Sequence, residues 1–271
     1  MKSAVTVAAF TAAIIASVAP LVASDGAEGH PWGYRADDEG VASPGQWYEY
    51  YPTCGGERQS PIDIVPSEDN DRSGPPFYFD GECSNYQLSQ TSEGYKVAVN
   101  GGSCTVQTPN ALYNFLQFHM HTPSEHTLSG QALDGEMHFV HRSANDEALL
   151  VVGLFFIASE GATTDSFFAD VLNAMDSVDE SAPADLRLTS YSSLLHSTAS
   201  GNPIYNYPGS LTTPSCDETV DWWVIQHPLT IATADLERLQ EHFKKIAIYD
   251  DGKNARPVQP LNDRKIVSYD A

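Results

Sequence analysis

The sequence has few positive charges. It contains 14 Lys and Arg residues against 36 Asp and Glu residues, which gives a formal net charge of −22. A chain this acidic is repelled by phosphate backbones, so we expect no nucleic-acid binding. We interpret the charge as a source of solubility through self-repulsion, and adaptation to a salty or acidic compartment is the alternative.

Several sequence signals are also missing. There is no Asn-x-Ser/Thr sequon, so we expect no N-glycosylation. The four cysteines include no Cys-x-x-Cys pair, which argues against a structural zinc site built from them. There is no His-Glu-x-x-His motif, which excludes the usual zinc protease site. We find no internal repeat, and only the N-terminus has an apolar run long enough to span a bilayer.

That N-terminal run predicts a secretory signal peptide over residues 1–24. Lys2 precedes an apolar stretch that closes with small residues, and we expect cleavage near Ala23 or Ser24. An uncleaved membrane anchor is the alternative. We therefore expect a protein that is secreted or resides in the lumen of a secretory compartment, without stable membrane insertion. Residues 25–271 have the length of one large domain.

The rest of the chain has the pattern of a mainly β, α+β fold. Short segments rich in β-branched and aromatic residues alternate with turn residues, which predicts a large, mostly antiparallel sheet with helices at its periphery. Helical spacing covers Ser166–Val178 and Ala232–Ile246, and Thr233 can cap the second helix. Leu149–Ile157 is nearly all apolar, as in a strand buried on both faces. The other expected strands include Tyr95–Val99, Asn114–His121, Glu136–His141 and Val220–His227.

Three histidines in two of these strands predict a metal site. His119 and His121 are two residues apart, so on a strand they point to the same face. A neighbouring antiparallel strand that carries His138 could add a third imidazole there. Three neutral imidazoles with one open position are typical of catalytic zinc, which lowers the pKa of a bound water to about 7. Gln117 and Glu136 each precede a histidine by two residues and can accept its ring N–H.

From Trp32 onward the chain resembles the alpha-class carbonic anhydrases, a family with secreted, eukaryotic-type and bacterial-type members. Six motifs appear in the order of that family. They are Trp32-Gly33-Tyr34, Gln59-Ser60-Pro61-Ile62-Asp63-Ile64, Gln117-Phe118-His119-Met120-His121, Pro123-Ser124-Glu125-His126-Thr127, Tyr207-Pro208-Gly209-Ser210-Leu211-Thr212-Thr213-Pro214 and Asn254-Ala255-Arg256-Pro257-Val258-Gln259-Pro260-Leu261. The resemblance implies a twisted sheet of about ten strands with the metal at the floor of a conical cleft.

The resemblance further implies a Zn²⁺ enzyme that hydrates carbon dioxide reversibly to bicarbonate and a proton through zinc-bound hydroxide, although the ligand geometry alone would not exclude cobalt. His119, His121 and His138 would bind the zinc. Thr212 would accept a hydrogen bond from the hydroxide and donate its own proton to ionised Glu125. The other implied site residues are Val140, Val151, Leu211 and Trp222 in an apolar substrate wall, Thr212 and Thr213 in substrate binding, and Tyr34 and Asn100 in a network of ordered water.

One departure from the family concerns proton transfer. Fast members carry a histidine in a cleft segment that reads approximately Asn-Asn-Gly-His, and the stretch that resembles it here is Val99–Gln107. The histidine position falls on Ser103 or Cys104, neither of which titrates usefully near neutral pH. We therefore predict slow turnover that depends on buffer. His30 is a substitute shuttle in one interpretation and an exposed histidine of an irregular N-terminal arm in the other.

The cysteines fit an exported protein, in which disulfides are common. Four cysteines allow three pairings. The resemblance implies Cys54–Cys216, which leaves Cys83 and Cys104 as a second pair whose bonding the sequence does not decide. The Cys54–Cys216 bridge would close a very long loop, an effect of at most about 4–5 kcal/mol in the chain-entropy treatment.

The sequence leaves two other functions open. One is a binding module of the same fold that has lost its metal, and the presence of all three histidines argues against it. The other is a different zinc hydrolase, for which activated esters are plausible substrates. The expected partners are carbon dioxide and bicarbonate, and the sequence leaves a homodimer open.

Overall fold

The computed structural model describes residues 29–66, 71–73, 77–109, 111–145 and 148–270. The predicted signal peptide lies outside these residues. A short 3-10 helix covers Pro52–Gly55, and the α-helices of the described chain are α1 (Trp47–Tyr50), α2 (Ser166–Met175), α3 (Tyr191–Ala199) and α4 (Thr233–Phe243). Its strands are β1 (Asp63–Ile64), β2 (Asp71–Ser73), β3 (Tyr78–Thr91), β4 (Gly94–Gln107), β5 (Leu112–His121), β6 (Thr127–Leu128), β7 (Gln131–Ala132), β8 (Gly135–Ser143), β9 (Leu149–Ser159), β10 (Ala184–Leu186), β11 (Pro203–Gly209), β12 (Val220–Ala232) and β13 (Val267–Asp270).

Ten of these strands form one large sheet in the order β10-β3-β4-β5-β8-β9-β12-β11-β13-β2. Neighbouring strands in it are antiparallel except for the pairs β9–β12 and β13–β2. Strands β1, β6 and β7 form a small separate sheet. The prediction of a mainly β fold with about ten mostly antiparallel strands is confirmed.

The predicted elements are present, with some differences at their ends. Helix α2 begins at Ser166 as predicted, and the side chain of Asp165 caps it by accepting a hydrogen bond from the Phe167 N–H at 2.8 Å. The prediction that Thr233 caps α4 is wrong. Strand β12 runs to Ala232 and leads directly into the helix, so Thr233 is its first helical residue and no side chain caps this end.

The large sheet separates an apolar core from a face that carries polar residues. In β5, Phe118 and Met120 point into the core, where residues of α2, α3 and α4 pack against them. Because side chains alternate along a strand, the residues between them project to the other face. That opposite face is where the three predicted metal ligands lie.

Two disulfides fasten the periphery of the fold. Cys54–Cys216 joins the 3-10 helix to the segment after Thr213, and both of its sulfur-bearing residues are buried. Cys83–Cys104 links β3 to β4. The implied pairing of Cys54 with Cys216 is confirmed, and the open question about the second pair is answered. Within the described part of the chain, no helix has both the length and the apolar character needed to cross a bilayer.

Candidate metal centre

The three predicted histidines converge on one point of the sheet. His119 of β5 lies directly opposite His138 of β8, and His121 is two residues further along β5. One ring nitrogen from each histidine lies within 4.8 Å of the other two, which is close enough for a shared ion. His121 and His138 are buried, and His119 is partly exposed, so the centre opens on the side of His119.

Two of the rings are oriented by an oxygen behind them. His119 Nδ1 lies 3.0 Å from Gln117 Oε1, and His121 Nδ1 lies 2.8 Å from the backbone oxygen of Asn254. Since amide and carbonyl oxygens only accept hydrogen bonds, we assign the proton of each ring to Nδ1. Nε2 of His119 and Nε2 of His121 therefore keep their lone pairs for a ligand.

The third ring faces a buried carboxylate. His138 Nε2 lies 3.1 Å from Glu136 Oε1, although not in the direction of a good hydrogen bond. Glu136 also accepts hydrogen bonds from the backbone N–H groups of Glu125 and His126, at 3.0 and 2.9 Å. Burial opposes ionisation of Glu136, but the two neighbouring histidines outweigh burial and hold its pKa well below the ordinary value. This fixed negative charge makes His138 a stronger ligand through Nδ1.

The environment of His119 and His121 favours their neutral form. Burial lowers the pKa of His119 well below its usual value, and repulsion from the other two imidazolium groups lowers it further. Burial also lowers the pKa of His121, although Glu125 acts in the opposite direction. Neutral imidazole is the form that binds metal ions, so these two rings do not have to lose protons before an ion binds near neutral pH.

Unpartnered atoms at the centre fit a bound cation. His121 Nε2 and Glu125 Oε2 lie 3.6 Å apart, and neither has a hydrogen-bond partner in the described structure. Two buried acceptors that face each other are unfavourable unless positive charge lies between them. Three neutral imidazoles suit zinc in particular. In a second group that could hold an ion, His126, Glu136 and His138, the His126 ring already forms a hydrogen bond with Glu136 Oε1.

A row of side chains that is apolar from β8 to β12 borders the centre. The row crosses five adjacent strands at directly paired positions, and such residues share one face of the sheet. It begins next to His119, and its Trp222 ring lies 4.8 Å from the His138 ring. Leu211 packs against the same cluster. From β5 to β11 the row consists of Gln117, Val140, Val151, Trp222 and Tyr207.

Thr212 and Glu125 are buried as the prediction requires, but the hydrogen bond between them is not formed. Glu125 Oε1 accepts a hydrogen bond from the Arg256 backbone N–H at 2.9 Å, whereas Oε2 has no partner. The predicted hydrogen bond from the Thr212 hydroxyl to this carboxylate is therefore absent, because Oε2 is directed towards His121 and His138.

The comparisons with known proteins decide the family. The model for eukaryotic-type carbonic anhydrase matches residues 42–270. The chain belongs to this family. It is 31% identical to carbonic anhydrase 6 of Mus musculus, in a match that covers 87% of this chain and 80% of that one. Among solved structures, the alpha-carbonic anhydrase of Photobacterium profundum is 30% identical with a TM-score of 0.71, over 87% of this chain and 99% of that chain.

A second solved relative is the alpha-carbonic anhydrase of Thermovibrio ammonificans in complex with the inhibitor sulfanilamide. It is 31% identical, with a TM-score of 0.71, over 88% of this chain and 99% of that chain. Carbonic anhydrases are typically zinc-dependent, and this one has a histidine group that could bind such an ion.

Several positioning residues of this carbonic anhydrase were not predicted. The backbone of Asn254 orients His121, and the side chain of Asn254 bonds to the backbone of Thr122 and Met120 at 2.9 and 3.0 Å. Arg256 fixes Glu125 through its N–H. Both residues belong to the C-terminal motif of the sequence. That motif could have indicated that they matter, but it did not indicate what either residue does.

A buried hydrogen-bond chain joins the metal centre to the loop that carries Thr212. His126 lies between Glu136 and Tyr207, with Nδ1 at 2.7 Å from Glu136 Oε1 and Nε2 at 2.6 Å from the Tyr207 hydroxyl. The Tyr207 hydroxyl donates to Ser60 Oγ at 2.9 Å, and Ser60 Oγ accepts from the Ser210 N–H at 3.1 Å. The sequence did not indicate this connection.

The structure shows that Val99–Gln107, the segment in which the sequence placed the shuttle position, does not lie beside the metal ligands. Strand β4 pairs with β5 through Ala98 opposite Gln117 and through Thr105 opposite Asn114, so six residues of β4 face two of β5. The extra residues form a bulge, in which Gly102 has a φ of +84° and lies too close to β3 for a side chain. The Asn-Gly-Gly sequence that resembles the family's cleft segment belongs to this bulge.

The segment beside the metal ligands is therefore Gly94–Ala98 and not Val99–Gln107. Asn100 and Ser103 are exposed residues of the bulge, so the register does not support a place for Asn100 in a water network at the metal centre. Gly94–Ala98 also contains no histidine. The absence of a shuttle histidine from this strand is thus unchanged by the correction.

Two further predicted positions lie around the N-terminal arm. Tyr34 packs edge-on against Trp47 and Tyr249, and burial, with repulsion from Glu125, raises its pKa well above the ordinary value. The His30 ring stacks on Tyr50 with 3.5 Å between ring centroids. This stacking fixes the His30 ring against α1.

Proposed function

We propose that this carbonic anhydrase binds Zn²⁺ through His119, His121 and His138 and catalyses the reversible hydration of carbon dioxide. The main support is the convergence of three imidazoles beside an apolar row, two of them oriented by an oxygen behind the ring and the third facing Glu136. When bound, zinc supplies hydroxide at neutral pH by lowering the pKa of a coordinated water. Bicarbonate and a proton are the products.

The apolar row gives a surface for the uncharged substrate. Carbon dioxide has no net charge, so shape and apolar contact must hold it next to the nucleophile. Val140, Val151 and Trp222 are almost fully buried and leave little room for water between them. We assign the substrate contact to these three residues and to Leu211, which packs against them.

Thr212 and Thr213 complete the substrate side. Glu125 Oε2 lacks a partner but faces His121 and His138, so the carboxylate has to turn before it can accept a hydrogen bond from the Thr212 hydroxyl. A hydroxyl that donates to this carboxylate has only its lone pairs left for the nucleophile, so it aims the nucleophile at the substrate carbon. The Thr212 N–H is a donor for bicarbonate, and Thr213 assists in holding this product.

Proton transfer to solvent limits turnover in this proposal. Neither Gly94–Ala98 nor Val99–Gln107 contains a histidine, and the His30 ring is engaged with Tyr50. Imidazole buffer should therefore accelerate hydration at saturating substrate. Equal turnover in dilute and concentrated buffer would contradict this part of the proposal.

We propose secretion and a single domain over residues 25–271. Two disulfides are consistent with an oxidising compartment. N-terminal sequencing of the exported protein should give a start near Ala23 to Asp25. Sedimentation at several protein concentrations tests the homodimer that the sequence leaves open.

The central experiment measures zinc content and stopped-flow carbon dioxide hydration. The purified chain should hold one zinc and be active, and sulfanilamide should inhibit it. His121→Ala should lose both zinc and activity, while His196→Ala, which changes an exposed histidine of α3, should keep both. Full activity of His121→Ala would remove the metal assignment. A zinc-loaded chain without hydration activity would favour the binding module or another hydrolase.

A further inference from the structure

The face of the sheet that carries the metal centre also carries a lysine. Strand β4 pairs with β5 through Val97 opposite Phe118 and Ala98 opposite Gln117. One more step in the same antiparallel register places Lys96 beside His119. Lys96 is thus the β4 residue next to the partly exposed metal ligand.

The side-chain alternation of β4 directs Lys96 towards the same face as His119. Its neighbours Tyr95 and Val97 are buried in the core cluster, at 6% and 2% exposure, and Lys96 between them is exposed. Since successive side chains of a strand point to opposite faces, Lys96 points away from the core. An independent sign of proximity is that the Lys96 charge contributes to the lowered pKa of His119.

Within the part of the chain that the structure describes, no group neutralises the ammonium group of Lys96. Across the described residues no ion pair or side-chain hydrogen bond of Lys96 is found, and only its backbone oxygen accepts one, from Ser89. By contrast, the carboxylate of Glu136 is engaged with His126 and two backbone N–H groups. At the open side of the centre, the unpaired positive charge belongs to Lys96.

A positive charge at this place has a consequence for charged ligands. The chain as a whole has a net charge of −22, which repels bicarbonate. We propose that Lys96 offsets this repulsion at the metal centre and raises the affinity for bicarbonate and other small monovalent anions. This inference rests on the proposed function, because bicarbonate is the anion that the proposed reaction forms and consumes. Lys96 acts through its charge, so it is a specificity residue and not a catalytic one.

The size of the effect follows from Coulomb's law. A single charge within about 10 Å in a water-filled cleft changes anion binding by roughly two- to fivefold at low ionic strength. Raising the ionic strength to about 0.5 M should remove most of this difference, because the screening length then falls well below the separation.

The test compares Lys96→Gln with Lys96→Arg in the zinc-loaded full chain. Calorimetry measures thiocyanate binding at low and high ionic strength, and initial rates give the KM for bicarbonate in dehydration. Lys244→Gln is the matched control, because it removes the same charge at the end of α4, whose residues pack on the other face of the sheet. Thermal unfolding checks that each variant is folded.

Lys96→Gln should weaken thiocyanate two- to fivefold at low ionic strength and raise the KM for bicarbonate similarly. Lys96→Arg and Lys244→Gln should stay close to the unaltered protein. Unchanged thiocyanate binding in Lys96→Gln, or equal weakening in Lys96→Arg, would overturn the inference. If the unaltered zinc-loaded protein has no hydration activity, the proposed function fails, while the thiocyanate titration still decides the role of Lys96.

Discussion

Adding one methyl group at Gly153 should weaken the metal centre without touching a ligand. Gly153 lies in β9, directly opposite His138 of β8 and Val224 of β12. A Cβ at this position would lie 2.6 Å from Glu136 Oε1 and 3.5 Å from a Val224 methyl carbon. The first distance is far shorter than a normal contact, so in Gly153→Ala the Glu136 carboxylate has to move.

That movement is costly because the carboxylate is held from several sides. Glu136 accepts hydrogen bonds from the backbone N–H groups of Glu125 and His126 and from the His126 ring, and it lies 3.1 Å from His138. Hydrogen bonds to a charged group contribute about 1.5–3 kcal/mol each, and overpacking costs about 1–3 kcal/mol. With the bonds weakened rather than lost, we expect the free energy of unfolding to fall by about 2–4 kcal/mol.

Zinc affinity should fall as well, by roughly 10- to 100-fold, since the oxygen behind His138 is displaced. Competition with a chromophoric chelator measures this affinity, and urea unfolding of the metal-free protein measures stability. Gly45→Ala is the control, because its added Cβ meets no atom within 4 Å. If Gly153→Ala held zinc and resisted urea as Gly45→Ala does, Glu136 would not support the centre as described.

Three further changes test other parts of the structure. Burial lowers the pKa of His141 to about 4, below its unfolded value of about 6.5. As the pH falls, the unfolded chain therefore takes up this proton before the folded protein does. The free energy of unfolding should fall by up to about 3 kcal/mol between pH 6.5 and pH 4. Urea unfolding followed against pH measures this loss, which should be missing in His141→Phe. Replacing Cys54 and Cys216 by Ser should lower the free energy of unfolding in urea by about 5 kcal/mol. Removing the Cys83–Cys104 disulfide between β3 and β4 should lower it by about 3 kcal/mol. The difference arises because the sequence separations of the two disulfides are 162 and 21 residues. Val151→Phe should lower kcat/KM for carbon dioxide at least about tenfold in stopped flow, with zinc content unchanged, because a ring then fills the substrate surface.

Each of these has a clear contrary result. A His141→Phe variant with the same pH slope as the unaltered chain would place the titrating group elsewhere. Equal losses from the two disulfides would argue against chain entropy as the source of their stabilisation. Loss of zinc from Val151→Phe would show that the row supports the ligands and does not only line the substrate space.

The metal ligands could be predicted because their arrangement is local. A strand places residues two apart on one face, so the sequence alone predicts that His119 and His121 point to the same side of the sheet. The same rule places Gln117 on the face of His119 and Glu136 on the face of His138. The third ligand needed a partner strand, and the next long β-type segment of the chain carries His138. The predicted strands and the main helices follow from hydrophobic periodicity in the same way, since each such pattern spans a single element.

The features that the sequence did not predict depend on contacts between residues far apart in the chain, or on backbone atoms. The oxygen behind His121 belongs to the backbone of Asn254, which is 133 residues away, and any residue type can offer a carbonyl. The bulge of β4 was missed because Asn100 and its two glycines resemble a motif, whereas the pairing of Ala98 with Gln117 places them elsewhere. Register is a property of two strands, so one strand's sequence does not determine it.

The polar face of the sheet can remain buried because its groups satisfy one another in a chain that leads to the centre. From Ser60 through Tyr207, His126 and Glu136, each polar group has a hydrogen-bond partner. The chain ends at His138 and Glu125, and there atoms lack partners. A buried unsatisfied acceptor costs about 1–3 kcal/mol, so this deficit is concentrated where an ion can relieve it. We therefore expect metal binding and the stability of the loop that carries Thr212 to be coupled, since the same hydrogen-bond chain runs from Glu136, beside His138, to the Ser210 N–H of that loop.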